Sequence, residues 1–125
     1  MSVTPVDPTQ PYDPDNIFAK ILRGEIPSTK VYEDEWAVAF EDIAPVAPIH
    51  VLVVPRNGYV SWDDFSQNAP AEEVAGFVKA VGNVARQLGL VEEGYRLINN
   101  IGHNVPHLHV HLLGGRTMGP MLTPR

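Results

Sequence analysis

His107-Leu108-His109-Val110-His111-Leu112-Leu113 sets histidine against apolar residues in strict alternation. A period of two marks an extended strand, whose side chains point alternately to opposite faces. His107, His109 and His111 therefore share one face, and Leu108, Val110 and Leu112 share the other. The aliphatic face must lie on a core, so the fold needs a sheet with two unlike sides. Three imidazoles in register are an odd way to build an inert surface. Imidazole titrates nearest neutrality and can act as a nucleophile, a general acid or base, or a metal ligand.

The rest of the chain supplies elements to surround that strand. Residues 1–14 are rich in Pro, Asp and Thr, with little to bury, and read as a loose arm. A short helix over 16–23, capped by Asp13 or Asp15, carries Ile17, Phe18, Ile21 and Leu22 as its apolar stripe, and Gly24 ends it. Residues 31–33 and 36–40 read as short strands around a turn at Asp34-Glu35. His50 to Val54 is a β-branched, apolar run suited to a central strand, and Pro55 closes it. Residues 56–69 are polar and irregular. From Pro70 the spacing turns helical, with Val74, Phe77, Val78, Val81, Val84, Ala85 and Leu88 on one stripe and Gly89 as the cap. Residues 95–99 read as a strand and 100–106 as a loop. The sum is an α+β domain: an antiparallel sheet with one long and one short helix.

Composition narrows the function classes. A chain of 125 residues with 44% hydrophobic content forms one domain with one core. A net charge of −6 argues against a broad nucleic-acid surface, while leaving room for a nucleotide in a local pocket. Without cysteine there is no disulfide or thiol chemistry, and a metal site would need His, Asp or Glu. No apolar run reaches the roughly 20 residues of a membrane span. The first residues lack a signal-peptide pattern, so a cytoplasmic protein is expected.

Five histidines occur, four of them between residues 103 and 111, with His50 opening another apolar strand. A neutral imidazole with one bare nitrogen can attack phosphorus while its neighbours donate to phosphate oxygens or move protons. The middle histidine, His109, has a partner on each side and is the natural nucleophile. Ligation of a metal by the three alternating histidines and a polar stripe facing solvent are both weaker readings. Asp42 could hold ribose hydroxyls or serve a turn. Asn100 could meet a phosphate or shape its loop. Phe18, Ile21 and Ile43 could form an apolar base pocket or simply pack in the core.

Taken together, these residues resemble the histidine-triad nucleotide-binding (HIT) family. Its signature is His-φ-His-φ-His-φ-φ, with φ apolar, and residues 107–113 match it throughout. Asn16-Ile17-Phe18-Ala19-Lys20-Ile21, Glu25-Ile26-Pro27, residues 39–45, residues 47–56, Gly94-Tyr95-Arg96 and Leu113-Gly114-Gly115-Arg116 look like family segments in the family's order. The last favours the Hint branch. The resemblance covers about residues 15–120 and implies a HIT domain over 15–125. It implies a five-stranded antiparallel sheet, paired in a homodimer into ten strands. It also implies hydrolysis of purine nucleoside phosphoramidates without a metal or other cofactor, with a purine nucleoside monophosphate-type ligand and no nucleic-acid or membrane partner. In that picture His109 is the nucleophile, His107 and His111 assist, and His50 completes a proton relay. Asp42 holds the ribose, while Ile17, Phe18, Ile21, Phe40, Ile43 and Leu52 line the base pocket. Asn100, His103 and Asn104 lie along the sugar and phosphate.

The sequence departs from the family pattern in three places. The loop from Asn100 to His107 is short, with His103 where a glutamine is expected and Asn104 where a phosphate-contacting hydroxyl often lies. Arg56-Asn57-Gly58-Tyr59 replaces a Lys-x-His-like step. The tail lacks the tryptophan of better-known Hint members. A nucleotide-binding protein with little catalysis is the rival from another class, and a different nucleotidyl hydrolase or transferase is the rival enzyme.

Overall fold

The computed structural model describes residues 4–122. Its elements run α1 (Ile17–Leu22), β1 (Lys30–Glu33), β2 (Ala37–Glu41), β3 (Ile49–Pro55), α2 (Trp62–Asn68), α3 (Ala71–Gln87), β4 (Arg96–Ile98) and β5 (Val110–Gly114). The five strands form one antiparallel sheet in the order β1-β2-β3-β5-β4, with β3 at its centre. Among the described residues, no helix is long and apolar enough to cross a membrane.

Alternation along the strands divides the core in two. Ala37, Ala39, Val51, Val53, Leu108, Val110 and Leu112 face α3, where Phe77, Ala80, Val81, Val84 and Ala85 bury the helix stripe. Each large aliphatic or aromatic side chain so buried contributes roughly 1.5–3 kcal/mol. Val78, expected on the same stripe, is instead 56% exposed. On the other side of the sheet, Val38, Phe40, Leu52 and Val54 pack against Phe18 and Ile21 of α1, with Leu22, Ile26 and Val105 at the margin. A helix of six residues cannot roof a five-stranded sheet. The part of this face beyond α1 carries the imidazoles, of which His50, His107 and His109 are buried.

Several expectations change at the level of local chemistry. The cap of α1 is Asn16, not Asp13 or Asp15. Its Oδ1 accepts from the Ala19 N–H at 2.9 Å, three residues on, and its own amide donates to the Asp13 carbonyl. Residues 56–69 are not wholly irregular, since they contain α2. Ser61 Oγ accepts from the Asp64 N–H while Asp64 Oδ2 accepts from the Val60 N–H, a reciprocal cap that starts the helix. The histidine strand is shorter than the alternation suggests. Its ladder begins at Val110, and His107 to His109 precede it. Pairing ends there because β3 finishes in Pro55, which has no N–H and whose carbonyl is taken by the His107 side chain.

Residues 4–6 run along the loop at 100–106. Val6 N–H donates to the Gly102 carbonyl, Asn104 N–H donates to the Thr4 carbonyl, and Pro5 bridges to His103. Farther on, Ser61 Oγ–H donates to the Pro8 carbonyl.

Candidate active site

Register brings two distant histidines together. His50 pairs with Leu113 across β3 and β5, and Leu52 pairs with His111. His50 and His111 are thus diagonal neighbours on one face, within reach of each other. Their Nε2 and Nδ1 atoms lie 2.9 Å apart. His109 follows on the same side, its ring centroid 5.3 Å from that of His111 and edge-on to Phe18 at 4.9 Å.

Backbone partners decide where the protons sit. A carbonyl can only accept, so His109 Nδ1, 2.7 Å from the His107 carbonyl, carries a proton. In the neutral ring Nε2 then holds the lone pair. At His50 the Val46 N–H donates to Nδ1 at 3.1 Å, which places the His50 proton on Nε2. That proton is donated to His111 Nδ1, so the His111 proton lies on Nε2. His111 Nε2 is buried and has no hydrogen-bond partner among the described residues. Two adjacent imidazoles are therefore held in opposite tautomers, one with a bare Nε2 and one with an unused Nε2–H.

Burial keeps these rings neutral. It is the largest influence on all four, and it lowers the pKa of His107 and His111 to about 4 and those of His109 and His50 in the same direction. The Asp42 carboxylate opposes the shift at His50, His109 and His111. Asp42 Oδ2 lies 3.3 Å from His50 Nε2, and its Oδ1 accepts from the Ala44 N–H. The turn role and a place beside the histidines thus belong to the same residue.

A cavity of about 340 Å³ opens over these groups. Phe18, Asp42, His50, Leu52, Asn100, Asn104, His109 and His111 all line it. The other residues expected at the site lie elsewhere. Ile21 and Phe40 are buried behind it, Ile17 is partly exposed, and Ile43 is 94% exposed. His107 is fully buried, with Nε2–H donating to the Pro55 carbonyl at 3.0 Å. His103 lines a smaller void of about 10 Å³, with room for about one water, which shares Asn100, Val105 and His109 with the cavity. The three alternating histidines do not converge as ligands. Among the described residues, Asp42, His50 and His111 form the grouping that could hold a metal ion, with ligand atoms within 4.8 Å of one another.

A HIT domain model matches residues 23–118. The chain belongs to the HIT family. It is 55% identical over 116 residues to an uncharacterised HIT-like protein of Azospirillum brasilense, covering 90% of this chain and 95% of that one. It is 45% identical over 113 residues to the purine nucleoside phosphoramidase of Escherichia coli K12, covering 86% of this chain and 93% of the relative. Among solved structures, a HIT family hydrolase from Clostridium thermocellum superposes with a TM-score of 0.79 at 42% identity, covering 87% of this chain and 97% of that chain.

Three contributors to this HIT site carry no signal in the sequence pattern. Asn99 Nδ2 donates to the His109 carbonyl at 2.9 Å. Tyr12 Oη lies 2.6 Å from His107 Nδ1. Buried Glu73 of α3 accepts from Asn57 Nδ2 and from the Tyr59 hydroxyl, both at 2.6 Å. That anchors the loop whose Tyr59 carbonyl receives the Leu108 N–H. Nothing local could have flagged Tyr12.

Proposed function

We propose that the chain hydrolyses purine nucleoside phosphoramidates, an adenosine 5′-monophosphoramidase-like activity, through a nucleotidyl-histidine intermediate on His109. The observation that carries this reading is the set of hydrogen-bond partners at His109 and His111, which assigns the two rings opposite tautomers. The bare Nε2 of His109 attacks the α-phosphorus, the phosphorus–nitrogen bond to the leaving amine breaks, and the amine takes up a proton from solvent. Water then attacks phosphorus and gives up a proton to solvent, the bond to Nε2 breaks, and the nucleoside monophosphate leaves. The His111 Nε2–H, backed by the His50 Nε2–H, donates to a non-bridging oxygen as charge builds there. His107 supplies the carbonyl that holds His109 in its tautomer. Asp42 meets the ribose hydroxyls, Phe18 and Leu52 take the base, and Asn100 and Asn104 lie along the sugar and phosphate, all from the cavity wall. The name of the E. coli relative supports this substrate class.

The working unit in this reading is a homodimer. Strand β4 is a sheet edge, and beside it Trp62, Val78, Leu97 and Ile101 expose apolar surface around a cavity of about 620 Å³. A second copy placed edge to edge covers that face and extends the sheet to ten strands.

One observation favours a second reading, nucleotide binding with little catalysis. The Asn104 main chain and side chain are both engaged by Thr4, which leaves less of Asn104 for a phosphate. Hydrolysis of adenosine 5′-phosphoramidate, with chelator present and the His109→Ala protein alongside, separates the readings. The proposal expects turnover that survives chelation and vanishes in the variant. A variant that keeps near-normal turnover overturns it. Adenosine monophosphate binding without wild-type turnover favours the second reading. Activity lost to chelator and restored by zinc points instead to Asp42, His50 and His111.

A further inference from the structure

Tyr12 precedes the segment matched by the HIT domain, residues 23–118, yet it reaches into the triad. The direction of its hydrogen bond follows from the other side of the His107 ring. Nε2 donates to the Pro55 carbonyl, so Nδ1 holds the lone pair and the Tyr12 hydroxyl must be the donor. The two rings meet edge-on, with centroids 5.6 Å apart and planes at 66°. The Tyr12 ring lies against Gly58, where a Cβ would run into it. Position 58 therefore leaves room for this seat.

This contact matters because residues 107–109 lie outside the β5 ladder. Strand pairing does not hold them, so individual anchors do. Leu108 N–H donates to the Tyr59 carbonyl at 2.7 Å, and Asn99 Nδ2 holds the His109 carbonyl. The His107 ring is clamped between Pro55 and Tyr12. The main-chain carbonyl of His107 is the group that keeps the proton on His109 Nδ1. A group that fixes His107 thereby fixes the lone pair on His109 Nε2.

We infer that Tyr12 is a positioning residue for the histidine nucleophile, holding His107 so that its carbonyl keeps the His109 Nδ1–H in place. The inference rests on the reading of His109 as the nucleophile. The arm that carries Tyr12 is itself tied down by its bonds to Gly102, Asn104 and Ser61, so the tyrosine arrives on a guided path.

Tyr12→Phe in the full chain tests this, since the ring stays and only the hydroxyl goes. Nitrogen NMR of 15N-histidine-labelled protein is expected to show His107 Nδ1 shifting toward a lone pair without a donor. It is also expected to show the His109 Nδ1–H exchanging with water several-fold faster than in the wild type. With adenosine 5′-phosphoramidate, kcat is expected to fall roughly 5- to 10-fold while KM stays within about twofold. Gly58→Ala, which removes the ring's seat and leaves the hydroxyl, is expected to change exchange and kcat in the same direction. A purely structural role would lower the melting temperature and leave His109 exchange and the kcat-to-KM split as they were, and that result overturns the inference. If the wild type shows no phosphoramidase turnover, the nucleophile reading fails, and the exchange rate of the His109 proton alone decides the role of Tyr12.

Discussion

Acid should destabilise this fold through His107, by an amount the structure sets. Burial, the largest influence, lowers its pKa from 6.5 to about 4, against the opposing pull of the Pro55 carbonyl. The unfolded chain takes a proton on this ring as pH falls through 6.5, and the folded chain does not until about pH 4. Through that window the unfolded state binds more protons, so stability falls as pH falls. The full difference amounts to about 3 kcal/mol, and the part between about pH 7 and about pH 4.5 to about 2 kcal/mol. The ring has no solvent exposure, so water does little to screen the effect. Protonation also removes the lone pair that receives the Tyr12 hydroxyl. The assay is urea unfolding of wild type and His107→Gln at a series of pH values. Glutamine can still donate to the Pro55 carbonyl and does not titrate. The variant is expected to start less stable at neutral pH and then lose about 2 kcal/mol less than the wild type on acidification. Parallel pH slopes for the two proteins would refute the reasoning, because carboxylates and the other histidines are common to both.

Gly76→Ala tests packing against propensity. Alanine is the better helix former by about 1 kcal/mol, but at position 76 a Cβ would run into the Trp36 ring. The expected outcome is a loss of about 1–3 kcal/mol in urea or thermal unfolding, and a gain would show that Trp36 moves aside without cost. Leu97→Asp tests the dimer, since Leu97 lies on edge strand β4 and is half exposed. Sedimentation should show a dimeric wild type and a monomeric variant, and a monomeric wild type would refute the pairing.

Much of the fold can be read from local pattern. The alternation at 107–113 assigns Leu108, Val110 and Leu112 to the core beneath α3, and they are buried there. The three- and four-residue spacings from Val74 to Ala85 place α3, and Gly89, at a φ of 71°, ends it. The run at 50–54 is central because its neighbours on both sides are strands. Helix α2 escapes this kind of reading. Its seven residues are mostly polar, and its start depends on hydrogen bonds between Ser61, Asp64 and Val60 rather than on a stripe. The site is legible in part for the same reason. Phe18, Asp42, His50, Asn100, His109 and His111 are identifiable by type and position, Leu52 and Asn104 through the family resemblance, and all line one cavity. Whether Ile21 and Phe40 line that cavity or lie behind it depends on how α1 sits on the sheet, which their own spacing does not specify.

The sequence alone determined that one strand would carry imidazoles on one side and aliphatic groups on the other. It also determined that residues from Pro70 on would form a long helix with one aliphatic stripe to bury. Both follow from side-chain periodicity, which is set within a few residues of backbone. Tertiary structure decided which imidazole nitrogen carries a proton. It did so through acceptors and donors far away in the chain: the Pro55 carbonyl and Tyr12 hydroxyl on His107, and His50, oriented by the Val46 N–H, on His111. A hydrogen bond has a range of about 3 Å, so a proton's position depends on what the fold brings that close and cannot be encoded by any periodicity.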